Sequence, residues 1–192
     1  MRGVDKLSYD FGKINAGLKK DRLGKAVKQL AKNIERVMLG TMPIDRVGEG
    51  KDPVIFPVIV VHDALYSAPG LNYWVHYWME EELDKVKRTI GKDTYDRVKQ
   101  YPVTVLEIDS LILYQQHLRR GELDLVGLLK GFHAEVQYGK RGFLTAMEAD
   151  TYARKSVLPF AKFVADEVHR RKLVIDQRHI EAILIKYGIR QK

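Results

Sequence analysis

The sequence predicts an α/β fold, in which a small, mostly parallel sheet has flanking helices and is followed by a helical C-terminal half. Two apolar runs indicate the strands, one near residues 54–61 and one near residues 103–108. Neither run has a helical period, and about one helix's length of chain separates them, which is the pattern of a βαβ unit. Because the first run consists of branched apolar residues without alternation, we expect that strand to be covered on both faces.

Composition favours a single globular protein. The chain has 192 residues, of which 45% are hydrophobic, enough to bury a full core. We predict an α/β unit with a basic N-terminal helix over residues 1–120, and a helical extension packed on the same core over residues 121–192. No apolar run reaches the roughly 20 residues of a membrane span. The absence of cysteine and of a secretory signal leads us to expect a cytoplasmic protein without a membrane partner.

The charge distribution indicates a polyanionic partner. The net charge is +8 at pH 7. Residues 1–40 hold 10 basic and 4 acidic side chains, residues 41–110 hold 8 and 12, and residues 111–192 hold 15 and 9. Basic segments therefore flank the predicted sheet unit, which is itself acidic. Such a distribution fits nucleic acid, although a lysine-rich solvated surface would have the same composition.

The first long helix carries the candidate nucleic-acid-binding residues. Residues 1–20 have no sustained period, and we expect an irregular lead-in there. From Asp21 to Met38 apolar residues recur every three or four positions, which predicts an amphipathic helix closed by Gly40. The opposite face holds a basic row, which contains Lys25, Lys28, Gln29, Lys32 and Arg36. A phosphate-contacting face and an ordinary solvated face are both consistent with this pattern.

The next predicted helix is aromatic at its start. A Pro69-Gly70 turn precedes it, Asn72 is positioned to cap it, and Gly91 ends it. Its apolar face contains Val75, Trp78, Met79, Leu83, Val86 and Ile90. The neighbouring Tyr73, Trp74 and Tyr77 are candidates for binding a partner, and together with Trp78 they form an aromatic cluster that is a candidate for stacking on bases. Aromatic residues beside a buried strand also commonly belong to a core and its rim.

The second half is predicted to be helical. Asp109 or Ser110 is expected to cap the helix that follows the second strand, and Thr145 with Glu148 forms a capping-box pattern. The predicted helices are 93–100, 111–120, 121–136, one from Thr145 that is broken at Pro159, and one that Asp176 caps and Gly188 ends. Between them, Lys140 and Arg141 belong to a basic turn and are further candidates for contacting nucleic acid.

Carboxylates at the predicted strand ends are the candidate catalytic groups. Asp63, Glu107 and Asp109 follow the two strands, and the carboxyl ends of parallel strands meet at one edge of a sheet. Carboxylates placed there would be able to share a magnesium ion. His62-Asp63 resembles the dipeptide of metal-dependent HD phosphohydrolases, but the further ligands of that family are missing, which excludes it. No other cofactor is indicated.

Other catalytic patterns are incomplete. Residues 45–51 contain Asp and Glu-x-Lys, as magnesium-dependent nucleases do, but these lie on a glycine-containing connector without a strand pattern. No two of the six histidines have the i, i+4 spacing of a helical metal site. Gly48-Glu49-Gly50 precedes a strand and lacks the helix of a phosphate loop, and no Gly-x-Ser-x-Gly elbow occurs. Whether the chain is an enzyme stays open.

Residues 20–120 contain four predicted elements in a fixed order. These are a basic helix (KAVKQLAKNIERV), an apolar strand (FPVIVVHDALYSAPGLNYWV), another helix and the strand YPVTVLEIDSL. This order resembles the later, non-catalytic part of restriction-endonuclease-like, PD-(D/E)XK nuclease-related proteins. The resemblance implies that Gln29, with Lys25 or Lys28, points toward a catalytic site. In that family the catalytic Asp and Glu-x-Lys precede the basic helix, and the residues before it here contain no Glu-x-Lys.

The resemblance implies a DNA-associated subunit or domain of a bacterial defence or repair system, with its catalytic part on an upstream segment or a partner chain. Two alternatives remain. One is a protein–protein assembly module, including a homo-oligomer, with its contact at Tyr73–Trp78. The other is a magnesium-dependent hydrolase that uses the carboxylates at the strand ends.

Overall fold

The computed structural model describes residues 11–20, 22–42, 54–62, 69–136, 154 and 157–186. It confirms the predicted fold class, since a parallel sheet of two strands has flanking helices and precedes a helical C-terminal half. Within these ranges the elements are α1 (Phe11–Lys20), α2 (Arg22–Met38), β1 (Val58–Val61), α3 (Leu71–Ile90), α4 (Lys92–Val98), β2 (Thr104–Glu107), α5 (Ile108–Leu113), α6 (Gln115–Arg119), α7 (Leu125–Val136), α8 (Phe160–Arg170) and α9 (Gln177–Lys186).

The contacts divide the chain into two units. The first unit combines Met1–Ile59 with Tyr73–Val103, and the second combines Val60–Asn72 with Thr104–Lys192. The first unit therefore contains α1, α2, most of α3, and α4. The second contains β2 and the later helices. The predicted packing of residues 121–192 on one shared core stays a prediction.

Helix α1 corrects the expectation of an irregular lead-in for residues 11–20. In the sequence, Phe11, Ile14 and Leu18 are spaced by three and then four residues, which is a helical period. Gly12 and Gly17 lie between them and make this period hard to recognise. Leu18 is buried, and α1 packs against α2. Tertiary packing therefore stabilises a helix whose glycines lower its intrinsic propensity.

Helix α2 agrees with its prediction. Its apolar face is buried at Leu23, Val27, Ala31 and Ile34. Gly40 has a positive φ of 68° at its end. The N–H of Gly40 bonds the carbonyl of Val37 at 3.0 Å, and the N–H of Thr41 bonds that of Arg36 at 2.9 Å. These two bonds form a Schellman motif, which confirms Gly40 as the residue that ends the helix.

Helix α3 confirms the predicted apolar face. Val75, Trp78, Met79, Leu83 and Ile90 are buried on one side of the helix, and Val86 is half-buried. Gly70 in the preceding turn and Gly91 at the end both have positive φ, as predicted for a turn and a helix end. The capping role predicted for Asn72 is wrong, because α3 begins at Leu71 and Asn72 lies inside its first turn.

The two strands differ in burial. In β2, Thr104, Val105 and Leu106 are all buried, as expected for a strand covered on both faces. β1 begins only at Val58, four residues later than predicted, and its Val60 is 57% exposed. Pro57 has no N–H to donate to a ladder, which accounts for the late start. The prediction that this first strand is covered on both faces is therefore wrong.

The second unit has an aromatic core between α7 and α8. The ring of Phe132 packs edge-on against that of Phe160, with centroids 5.3 Å apart, and it also contacts Phe163 at 5.7 Å. Leu128, Val136, Val164 and Val168 are buried around these rings. Aromatic pairs at these distances favour the edge-to-face arrangement, so the rings fix how α7 and α8 pack.

Helix ends in the second unit agree only partly with prediction. Pro159 stands immediately before α8, which confirms the predicted break, and Asp176 accepts a 2.9 Å bond from the N–H of Arg178, which confirms the cap of α9. The cap predicted at Asp109 or Ser110 is wrong, because the chain passes from β2 directly into α5 at Ile108. The predicted helix 111–120 is two short helices, and α7 begins later than predicted, at Leu125.

Several predicted features lie outside the described residues. They are the connector at residues 43–52, the capping box of Thr145 and Glu148, and Gly188. Within the described ranges, none of the helices combines the length and the apolar character that crossing a bilayer requires.

Candidate nucleic-acid interface

The basic row lies on the solvent side of α2. Lys25, Lys28, Gln29, Lys32 and Arg36 are all exposed. With 100° of rotation per residue, these five positions fall opposite the buried face that includes Val27 and Ile34. The helix therefore presents four cationic groups along about three turns, on a rigid element packed against α1.

The cations of the row are not neutralised by the part of the protein that the structure describes. No ion pair joins Lys25, Lys28, Lys32 or Arg36 to an acidic side chain among the described residues. A cation that has no internal partner keeps its full attraction for an external anion. This is the electrostatic arrangement that binding to a phosphate backbone requires.

A groove of about 200 Å³ adjoins the row within the first unit. Lys28 lines it together with Lys19 and Gly24, and α3 contributes the opposite wall. The residues of α3 that line this wall are Trp78, Glu81, Glu82 and Lys85. Lys28 thus connects the exposed row with the surface of α3.

The acidic run of α3 is internally paired. Glu81 accepts a 2.5 Å bond from the ammonium of Lys19, and Glu82 accepts one of 2.6 Å from Lys85. Glu80 is 2.7 Å from the ammonium of Lys99. The two glutamates that line the groove and the adjacent Glu80 therefore each have a cationic partner, which reduces their repulsion of a polyanion.

Lys99 and Tyr95 join α4 to this acidic run. Burial lowers the pKa of Lys99, but its bonds to Glu80 and Tyr95 outweigh that effect and raise it above its ordinary value. Burial and the hydrogen bond to the Asp84 carboxylate raise the pKa of Tyr95. The ammonium of Lys87 also lies 4.7 Å from the centre of the Tyr95 ring. These contacts hold α4 on α3 and leave the basic row untouched.

The aromatic candidates on α3 separate into exposed and buried residues. Tyr77 is 55% exposed and Tyr73 is 42% exposed, whereas Trp74 is half-buried. Trp78, at 4% exposure, belongs to the core. The cluster that was conspicuous in the sequence therefore supplies both a core residue and a surface patch of aromatic side chains.

The carboxylates at the strand ends are only partly described. Glu107 is half-buried and Asp109 is exposed, near the carboxyl end of β2, while His62 is exposed directly after β1. Asp63 lies outside the described residues, as do Lys140 and Arg141. Within the described ranges, no three or more His, Asp or Glu side chains are grouped so that they would hold a metal ion. The magnesium site therefore stays a prediction.

Two polar contacts that each involve one buried residue of the second unit were missed by sequence reasoning. His117 is only 2% exposed, and its Nδ1 lies 2.6 Å from the carboxylate of Glu122. Thr104 is fully buried, and its hydroxyl lies 2.8 Å from Nε2 of His133. No spacing rule pairs residues five or 29 positions apart across different elements, so neither contact had a recognisable signal.

Comparisons with known proteins identify no relative: no family model matches this chain, and neither curated proteins nor solved structures gave a significant match.

Proposed function

We propose that this chain is a DNA-associated component of a nuclease-like bacterial defence or repair system, without a complete catalytic motif of its own. In this proposal the basic row of α2 binds the phosphate backbone, with Lys140 and Arg141 as further contacts. The resemblance of residues 20–120 to restriction-endonuclease-like proteins supports the nuclease context. The catalytic part would then belong to an upstream segment or to a partner chain.

The observation that carries the proposal is the unneutralised state of the basic row. Lys25, Lys28, Lys32 and Arg36 are exposed and have no acidic partner among the described residues, while the nearby Glu80–Glu82 are paired. An ordinary solvated helix face would be equally exposed. Here the acidic neighbours pair with other cations and not with the row, so the surface of the row stays net positive. Phosphates bound there would release condensed counterions, and affinity would fall with salt.

Charge reversal tests the proposal. The row variant replaces Lys25, Lys28, Lys32 and Arg36 with Glu, and the probe is a DNA duplex that carries a single-stranded tail. A control variant replaces Lys92, Arg120, Lys130 and Arg178 with Glu, since these are also exposed and give the same change in net charge. We expect the row variant to lose retention of the probe at about 100 mM salt, and the control to keep it. Equal retention by both variants would overturn the proposal.

An assembly module is the second candidate, and the exposure of Tyr73 and Tyr77 favours it. Aromatic residues are enriched at protein–protein interfaces. In this version the chain forms a stable oligomer with itself or with a catalytic partner, and Trp74→Ala dissociates it. The molecular mass in dilute solution, measured by light scattering for the protein and this variant, distinguishes the two candidates.

A further inference from the structure

We propose that the nucleic acid recognised by the first unit is single-stranded, with phosphates on the basic row of α2 and unpaired bases stacked on Tyr77 and Trp74 of α3. This inference rests on the proposed function and specifies the partner of the same site. It follows from the position of an exposed aromatic surface beside unneutralised cations within one unit.

The two aromatic residues share a stripe of α3 with the wall of the groove. Tyr77 precedes Glu81 by four residues and Trp74 precedes Tyr77 by three, so the three side chains lie on one side of the helix. Glu81 lines the groove together with Lys28 of the row. With 1.5 Å of rise per residue, Tyr77 is about 6 Å along α3 from Glu81, which is about one helical turn from the groove that Lys28 lines.

Charge complementarity favours nucleic acid as the occupant of this surface. A protein partner would meet paired glutamates on α3 and the unpaired cations of the row on α2. A polynucleotide supplies both features that the surface needs, because phosphates complement Lys28 and its neighbours and bases complement the rings. Every base has a π-face, so stacking on Tyr77 and Trp74 requires no particular sequence.

The exposed rings also favour single strands over duplex. In a duplex the faces of the bases are stacked on one another and are accessible only at the ends. Exposed side chains such as Tyr77, at 55% exposure, would then gain little from contact with the backbone. In a single strand each base can turn outward and stack on an aromatic side chain.

Binding of a single-stranded oligonucleotide and of a blunt duplex of equal length tests the inference. We expect Tyr77→Ala to weaken binding of the single strand about 5- to 100-fold, while duplex binding changes little. Tyr77→Phe should keep the wild-type affinity, because stacking needs the ring and not the hydroxyl. Unfolding by urea verifies that the exposed substitutions leave the fold intact.

Intrinsic fluorescence gives a second measurement. The chain contains two tryptophans, of which Trp78 is buried and Trp74 is half-buried. A single strand should quench the emission of Trp74, and Trp74→Phe should remove that quenching.

Equal binding of the single strand by Tyr77→Ala and the wild type would overturn the inference, and loss of binding by the row variant would still support the proposed function. A loss of oligomeric state in Tyr77→Ala would instead assign the surface to a protein partner and overturn the inference.

Discussion

The side-chain carbonyl of Asn72 accepts a hydrogen bond of 2.5 Å from the backbone N–H of Val105. Both residues are buried, and the bond joins the first turn of α3 to β2 within the second unit. An N–H in the middle of a covered strand needs an acceptor, because leaving it unpaired costs about 1–3 kcal/mol. Asn72 supplies that acceptor from outside the sheet.

Replacement of Asn72 by Ala should therefore lower the free energy of unfolding by about 1–3 kcal/mol. The N–H of Val105 then loses its acceptor at a position where both residues are buried. Urea unfolding measures the loss. Asn33→Ala, at a half-buried position on α2, serves as the control and should show no loss. A change of less than about 0.5 kcal/mol in Asn72→Ala would contradict this role.

The close contact between α1 and α2 gives a second prediction. A Cβ on Gly24 would lie 1.8 Å from the backbone oxygen of Lys19, which cannot move without shifting α1. Gly24→Ala should thus destabilise the protein by about 1–3 kcal/mol. Helix propensity alone predicts the opposite, since Ala is favoured over Gly by about 1 kcal/mol in a helix.

The sign of the measured change in unfolding free energy decides between these two effects. Lys25→Ala, at the exposed neighbouring position, is the control and should stay within about 0.5 kcal/mol of the wild type. A more stable Gly24→Ala protein would show that α1 does not approach α2 in the way described.

The sequence predicted the elements whose signals are local. The period of α2 and the positive-φ glycines at residues 40 and 91 are read from short windows, and the structure agrees with them. The start of β2 and the burial of both its faces also follow from a mostly apolar run without a helical period. The basic row was found because helical spacing alone places its residues on one face.

The features that sequence reasoning missed depend on contacts between distant residues. Nothing local to Asn72 distinguishes an N-cap from an acceptor for a strand 33 residues away. The neutralisation of Glu81 by Lys19 likewise depends on the position of α1 within the first unit, which the sequence did not predict. Val60 in β1 is exposed because none of the described elements covers its side of the strand. An apolar run in the sequence does not predict which elements will pack on each face of a strand.

His76 gives the stability a pH dependence. Burial lowers the pKa of His76 below its usual value of 6.5. The negative charge of Glu80 opposes this decrease, and the positive charge of Lys99 adds to it. The unfolded chain therefore takes up the proton more readily than the native protein. This contribution to stability is present above the unfolded pKa and is lost as the pH falls through the lower folded pKa.

Urea unfolding between about pH 7 and about pH 5 measures this effect. We expect the free energy of unfolding to fall with pH more steeply in the wild type than in His76→Gln, which has no titrating ring. Subtraction of the two curves removes the contributions of the other histidines. Parallel curves would contradict the lowered pKa.

The salt dependence of DNA binding tests the central claim, which is that the basic row neutralises phosphates. Each phosphate neutralised contributes about 0.7–0.9 to the slope of log affinity against log salt. A variant with Gln at positions 25, 28, 32 and 36 removes four cations without adding negative charge. We predict that its slope is about 3 smaller than that of the wild type. Identical slopes for the two proteins would show that the row does not contact nucleic acid.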